Sequence, residues 1–277
     1  MTARPLGDAA NRSYADKLEA FDRFAEPEIR AAVERLGITP GNRILDAGCG
    51  VGLVTSWLAE ANGPSGVTMG MDLSRPHLLA AGPRRATHLA QADIASDPLR
   101  PASLDLIWCC NTVNHVHDPV GTLGRLRRAL RPSGRLILAQ SGLLPEMYFA
   151  WDAGLDERVR PACHAAYRDK YGLEEDTTSG VRRLVGFLHE AGLSLGPTKT
   201  YVIERTQPLA DADRRYFQDV VFQGYWGDKV QPYLSDGDWR RLTALCDPAS
   251  GDYCLDRPDF HHLQTLTVVE GRTDRAS

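Results

Sequence analysis

The fold is decided by the stretch LDAGCGVG at residues 45–52, which follows a short apolar run from Arg43 to Ala47. The residues from Val51 to Ala61 then show the spacing of a helix. Glycine allows the sharp turn between the two elements and lets a ligand approach the backbone, while the helix that follows presents free N–H groups. The stretch therefore predicts a strand, a tight turn and a helix, with a ligand site at the turn.

The same alternation of strand and helix continues on both sides of this stretch. The segment from Tyr14 to Leu36 predicts helix, with a break or a second start at Pro27. Further strands and helices are predicted, in chain order, at Val67–Met71, Arg75–Ala81, Thr87–Ala90, Leu104–Cys110, Pro119–Leu130 and Arg135–Ala139. Strands that alternate with helices form a parallel sheet with helices on both faces.

After residue 141 the pattern changes to longer helical segments. These are predicted at about 145–171, 179–191 and 209–246, with strands at Thr198–Glu204 and Leu263–Val269. We expect residues 1–141 to form the N-terminal helices and the ligand-binding core, and residues 142–197 to form cap helices. Residues 198–277 are expected to supply the last two strands, with a cap insertion at about 208–258.

Composition limits the class of protein. Hydrophobic residues make up 43% of the 277 residues and charged residues 25%, as in an ordinary globular protein. A net charge of −4 argues against a general nucleic-acid binder. No apolar run is long enough for a membrane span, and the first residues lack a signal-peptide core, so we expect a cytoplasmic protein. The scattered cysteines predict no metal site. The sequence is compatible with a monomer or a homodimer.

Three acids mark the ends of the first three strands: Asp46 ends the first, Asp72 ends the second, and Asp93 falls just beyond the third. In a parallel sheet their carboxylates gather at the carboxyl edge, where ligands of doubly wound folds bind. Asp46 would repel the pyrophosphate of a dinucleotide, whereas S-adenosylmethionine brings a sulfonium and an ammonium. The absence of Gly-Lys-Ser/Thr after the glycines excludes a P-loop. The acids therefore favour S-adenosylmethionine as the cofactor.

Five blocks of the first half resemble, in order, the motifs of class I S-adenosylmethionine-dependent methyltransferases. The blocks are LDAGCGVG, MDLS, QADI, LDLIWCCNTVNHV and LRRALRPSGRLILAQ, and the resemblance covers about residues 14–141. It implies an α/β, Rossmann-like fold: a doubly wound, seven-stranded, mostly parallel sheet with an antiparallel last strand, here with helical cap insertions. It also implies S-adenosylhomocysteine as the product.

The resemblance assigns residues to parts of the cofactor. Asp46 and the turn of Gly48, Cys49 and Gly50 would hold the methionine part. Asp72 would bind the ribose with Leu73 beside the adenine, while Asp93 would accept from the adenine amino group above Ile94. Asn111 would approach from the fourth strand, and Tyr14 would close over the site. Family members that methylate nucleic-acid amines carry Asn/Asp-Pro-Pro-Tyr where this chain has Asn-Thr-Val-Asn at 111–114, which argues against that acceptor.

The segments after the fifth and sixth strands are rich in aromatic residues. Because every parallel strand exits on the ligand side, we expect these segments to stand over the cofactor and to enclose an apolar or aromatic small molecule. The alternative is that the aromatic residues form the core of the cap itself.

Two histidines are candidates for a general base toward a hydroxyl acceptor. His115 follows the fourth strand, and His262 precedes the last strand on the ligand side. The preferred interpretation is methyl transfer to an oxygen of a small metabolite, in specialised metabolism. The alternatives are a non-methyl reaction in the same pocket, such as a cyclisation or rearrangement, and a cofactor-binding regulator without turnover.

Overall fold

A mixed sheet forms the centre of the computed structural model, which describes residues 12–82, 88–142, 147–171 and 180–274. The predicted positions Thr87, 145, 146 and 179 lie outside these residues. The strands, in chain order, are β1 Arg43–Ala47, β2 Val67–Asp72, β3 His88–Gln91, β4 Leu104–Cys110, β5 Leu130–Ser141, β6 Tyr148–Phe149, β7 Ser194–Thr206 and β8 His261–Arg272.

The strand order confirms the predicted sheet. It runs β3-β2-β1-β4-β5-β8, and β7 pairs with the other edge of β8. Neighbours from β3 to β5 are parallel, whereas β8 is antiparallel to both β5 and β7. The two-residue strand β6 pairs with Leu263 and His262 and was not predicted. It adds an eighth strand to the seven predicted ones.

Helices alternate with the strands and then form the cap. They are α1 Arg12–Phe24, α2 Glu26–Arg35, α3 Leu53–Asn62, α4 Arg75–Ala81, α5 Pro119–Ala129, α6 Ala153–Tyr171, α7 Gly180–Glu190, α8 Asp211–Arg215, α9 Gly227–Val230 and α10 Asp236–Cys246. A π-helix spans Tyr216–Trp226 between α8 and α9. The predicted break near Pro27 is the start of α2 at Glu26, because proline fits the first turn of a helix. Along the described chain, no helix is long and apolar enough to cross a membrane.

Each buried strand contributes to two cores, one on each face of the sheet. Along β4, Trp108 faces the core built with α2, α3 and the cap, whereas Cys109 faces the core built with α5 and α7. Ile137 and Leu138 alternate in the same way on β5. The cap therefore packs into the core of one sheet face.

Candidate functional site

A cavity of about 260 Å³ lies at the carboxyl ends of β1, β2 and β4. It is lined by all ten residues that the sequence assigns to a cofactor: Tyr14, Asp46, Gly48, Cys49, Gly50, Asp72, Leu73, Asp93, Ile94 and Asn111. The parallel register explains this convergence, because Ala47 pairs with Met71 and Asp46 pairs with Trp108, so the three strands end side by side.

The glycine turn after β1 is held tightly between β2 and β4. The N–H groups of Gly48 and Cys49 both donate to the carbonyl oxygen of Met71, at 2.7 and 3.0 Å. Gly48 has φ +80°, and a Cβ at this position would lie 2.2 Å from Oγ1 of Thr112. Only glycine therefore fits, and the turn brings the backbone to the cavity wall.

Two carboxylates form the inner wall of the cavity. Asp46 is 2% exposed and accepts a hydrogen bond of 2.6 Å from Oγ1 of Thr55. Burial raises the pKa of Asp46 to about 7; Thr55 opposes this rise and the nearby Asp72 adds to it. Asp72 accepts hydrogen bonds of 2.8 Å from the N–H groups of Gly50 and Ser74, one on each carboxylate oxygen. The turn, β1 and β2 therefore position both acids.

Asn111 is held in an unusual backbone conformation at the end of β4. Its φ of +51° lies in the left-handed region, which asparagine tolerates better than most residues. Oδ1 of Asn111 accepts from Nε2 of Gln140, the N–H of Ser141 and Oγ of Ser141, at 2.9, 2.8 and 3.1 Å. These donors fix the carboxamide and leave its NH₂ group as the donor for the cavity.

The opposite end of the cavity lies after β2 and β3. Leu73 is 40% exposed, and Ile94 is buried at the start of a short 3₁₀ turn. Asp93 begins that turn, and its Oδ1 accepts from the N–H of Ala95 at 2.8 Å. An apolar floor beside an acid at this end is suited to a purine ring with an amino group.

One wall of the cavity comes from α1, which the sequence assigned only through Tyr14. Leu18, Phe21 and Asp22 also line it, and with Tyr14 they stand at the spacing of one helical face. The apolar periodicity of the segment was visible, but it did not show which side of the helix faces a ligand. His77 on α4 is a further lining residue without a sequence signal.

The described part of the cap does not line this cavity, contrary to the expected aromatic enclosure. Within the described ranges, all lining residues fall between positions 14 and 117. Phe149, Phe217, Phe222 and Trp226 are buried in the core on the cap side of the sheet. Phe149 packs against Phe217 and Trp226 at ring-centroid distances of 5.8 and 5.5 Å. These aromatic residues therefore pack with one another in the core instead of enclosing the cavity.

The two candidate bases lie in different environments. His115 lines the cavity at the end of a 3₁₀ turn after β4. His262 does not line it: the ring has no exposed surface and packs 4.7 Å from both Phe149 and Phe217. Burial lowers the pKa of His262 to about 3. The structure therefore separates His262 from the cavity, and a base with such a low pKa is ineffective near neutral pH.

The charge of the cavity is negative. Asp22, Asp46, Asp72 and Asp93 line it, and none of its described lining residues is lysine or arginine. Burial raises the pKa of the Cys49 thiol, so this side chain stays neutral. These carboxylate acceptors therefore suit a cationic ligand with hydroxyl and amino groups, as S-adenosylmethionine has, and do not suit a pyrophosphate.

Comparison with known proteins agrees with this geometry. Residues 45–138 match the family model described as "Methyltransferase domain". Methyltransferase GfsG from Streptomyces halstedii is 33% identical over 142 residues, covering 48% of this chain and 50% of that protein. Malonyl-[acyl-carrier protein] O-methyltransferase from Enterobacter lignolyticus is 35% identical over 131 residues, covering 46% and 51%. The chain spans about half the length of these curated relatives.

Solved structures share the fold over most of the chain. A chain from Anaeromyxobacter dehalogenans superposes with a TM-score of 0.61 at 20% identity, covering 89% of this chain and 97% of that one. Phosphoethanolamine N-methyltransferase 2 from Haemonchus contortus, in complex with S-adenosylhomocysteine, gives 0.54 at 15% identity over 98% of this chain and 60% of that one. The protein therefore has a Rossmann-like α/β fold. Residues 45–138 match a methyltransferase domain, and the cavity that this segment lines fits S-adenosylmethionine as the cofactor.

Proposed function

We propose that this chain transfers a methyl group from S-adenosylmethionine to an oxygen atom of a small molecule. The observation that carries the proposal is the acid-walled cavity at the ends of β1, β2 and β4, inside the segment that matches a methyltransferase domain. When bound there, the cofactor supplies a methyl carbon activated by the positive sulfur.

The residues of the cavity have separate tasks in holding the cofactor. The carboxylate of Asp72 accepts from ribose hydroxyls, and Asp93 accepts from the adenine amino group. Asp46 and the turn at residues 48–50 hold the methionine part, where the negative charge of Asp46 offsets the positive charges of the ligand. Asn111 donates through its fixed carboxamide.

Oxygen is the favoured acceptor atom for two reasons. Several relatives are named as O-methyltransferases, among them the malonyl-acyl-carrier-protein enzyme and nocamycin O-methyltransferase from Saccharothrix syringae, which is 31% identical over 119 residues. His115 lines the cavity and is suited to take the proton of a hydroxyl. Phe21 and Cys110 add apolar walls, which are suited to an apolar or aromatic metabolite.

A non-methyl reaction is the second candidate. The crystal structure of the [4+2]-cyclase SpnF superposes with a TM-score of 0.51 at 15% identity, which shows a shared fold alone. Product mass separates the candidates: methyl transfer adds one methyl group to the acceptor, a rearrangement leaves an isomer, and a regulator yields no product.

Calorimetric titration with S-adenosylhomocysteine tests the cofactor assignment. We expect micromolar binding, weakened by about 1–3 kcal/mol in Asp72→Ala because a partly buried acceptor of hydroxyl hydrogen bonds is lost. Asp228→Ala, at an exposed position on α9, is the matched control and should bind as the native chain does. An absence of binding by the native chain would contradict the proposal. After binding is established, labelled S-adenosylmethionine with a panel of phenols and carboxylic acids tests the acceptor.

A further inference from the structure

His77 is a buried histidine in the wall of the cavity. It occupies the third position of α4, whose first turn is capped by Ser74, two residues after the end of β2. Side chains lean toward the N-terminus of their helix, so the ring of His77 returns to the end of β2. The side chain of His77 is 3% exposed, and its Nδ1 lies 3.5 Å from Oδ1 of Asp72.

The contact with His77 completes the surroundings of the Asp72 carboxylate. Gly50 and Ser74 already donate to its two oxygens. Burial alone would raise the pKa of Asp72, but His77 and the two backbone N–H groups outweigh burial and lower the pKa below its usual value. Asp72 is therefore ionised and held in one orientation. At 3.5 Å the histidine contact is longer than an ordinary hydrogen bond, so His77 acts mainly through its position beside the carboxylate.

The ring of His77 also supports α1. The aromatic ring of Tyr14 stacks on it with a centroid distance of 5.3 Å and an interplanar angle of 24°. At its other end, α1 is fixed in the core through Phe24, whose carbonyl oxygen accepts from the guanidinium of Arg205 and whose ring lies 4.7 Å from it. The stack on His77 therefore joins the N-terminal part of α1 to the side of the cavity where Asp72 lies.

We propose that His77 is a positioning residue for the ribose end of the cofactor site: it keeps Asp72 oriented toward the ribose hydroxyls and seats Tyr14 over that end. The inference rests on the proposed function, because it assumes that the ligand carries a ribose. It assigns two separable tasks to one ring, since Nδ1 contacts the carboxylate of Asp72 and the ring face stacks on Tyr14.

Substitutions can separate these tasks. His77→Phe keeps a flat ring for Tyr14 and removes the nitrogen atoms beside Asp72. Tyr14→Leu removes the stack and leaves the nitrogen atoms in place. His262→Phe is the matched control, because His262 is also a buried histidine among aromatic rings but lies away from the cavity. Thermal unfolding without ligand shows whether each variant folds.

The deciding measurement compares S-adenosylhomocysteine with its 2′-deoxyribose analogue by calorimetry. We expect the native chain to prefer the ribose form by about tenfold or more, as for a hydroxyl that donates to a carboxylate. His77→Phe should reduce this preference to about threefold or less, since a loosely held carboxylate forms a weaker hydrogen bond with the ribose hydroxyl. Tyr14→Leu should weaken both ligands equally and keep the preference, and His262→Phe should change neither affinity nor preference.

Each other outcome has a distinct meaning. A full ribose preference in His77→Phe would overturn the positioning role, because unchanged discrimination between the two ligands is the result expected of a residue that merely fills space. Equal binding of both ligands by the native chain would overturn it too, while leaving cofactor binding in place. Binding of neither ligand by the native chain would contradict the proposed function itself. In Asp72→Asn the added His77→Phe change should have no further effect on preference, since the two residues act as one unit.

Discussion

Changing Asp46 to asparagine alters the charge of the cavity with little change in shape. Asparagine keeps an oxygen that accepts from Oγ1 of Thr55, now 2.6 Å away, but it cannot ionise. In the native chain, burial raises the pKa of Asp46 from 3.8 to about 7. The acid is therefore half protonated near neutral pH, and a cationic ligand that favours the ionised form should release its proton on binding.

The size of this effect follows from the pKa. With a pKa of about 7, roughly a tenth of Asp46 is ionised at pH 6 and roughly nine-tenths at pH 8. If the ligand binds the ionised form, its apparent Kd falls about tenfold from pH 6 to pH 8, or about 1.4 kcal/mol. Without ligand, the stability of the fold changes with pH in the opposite direction to ligand affinity. The folded state holds the proton of Asp46 more tightly than the unfolded state, so this acid makes folding less favourable as the pH rises from 3.8 to about 7.

Calorimetry with S-adenosylmethionine at pH 6, 7 and 8, in two buffers of different ionisation enthalpy, counts the released protons. We expect about 0.9, 0.5 and 0.1 protons from Asp46 at these values, following the protonated fraction. Asp46→Asn should release none of these, and its affinity should lack this tenfold rise. The amino group of the ligand titrates with both proteins, so the difference between them isolates Asp46. An equal pH dependence in the two proteins would refute the reasoning.

Four further substitutions test the site and its surroundings. Gly48→Ala should abolish binding of S-adenosylhomocysteine, because the new Cβ would lie 2.2 Å from the Thr112 hydroxyl at φ +80°; unchanged calorimetric affinity would contradict this. Asn111→Leu leaves buried donors of β5 without an acceptor and should cost about 1–3 kcal/mol of unfolding free energy by urea titration. His115→Ala should keep the affinity for S-adenosylhomocysteine and slow methyl transfer by about 10²–10⁴-fold, and an unchanged rate would exclude His115 as the base. The pKa of His262 drops from 6.5 in the unfolded chain to about 3 in the folded chain, so only the unfolded state takes up a proton as the pH falls. His262→Phe should therefore gain stability over the native chain, by about 1.4 kcal/mol at pH 5.5. A difference in unfolding free energy that stays constant with pH would contradict this.

The cofactor end of the site could be predicted because its residues follow strand ends. The glycine turn marks the end of β1, Asp72 is the last residue of β2, and Asp93 follows β3. The parallel arrangement of the strands therefore brings Asp46, Asp72 and Asp93 to one edge of the sheet. Asn111 follows β4 by the same rule. No knowledge of side-chain packing was needed for any of these positions.

The remaining walls could not be predicted because they depend on packing between distant segments. Tyr14 meets His77 only when α1 packs against α4, and nothing near either residue in the sequence marks the pair. The role of the aromatic residues in the cap could not be predicted for the same reason. Residues such as Phe217 and Trp226 have apolar spacing that suits a pocket as well as a core, and only the fold decides that they fill a core.

Under the proposed function, acceptor choice depends on the walls that the cofactor leaves uncovered. In the sheet, β4 lies on the far side of β1 from β2 and β3, whose ends hold the adenine side of the cavity. Helix α1 begins near α4, where Tyr14 stacks on His77, and runs toward the core on the cap side at Phe24. Phe21 and His115 therefore stand at the end of the cavity away from the adenine, where an oxygen must approach for in-line displacement. Phe21→Ala should change which acceptors are methylated and leave the affinity for S-adenosylhomocysteine within about threefold, because the ring lines the acceptor end only. Phe222→Ala, in the cap core, should instead lower stability by about 3–5 kcal/mol without changing acceptor choice, and the opposite pattern would place the acceptor under the cap.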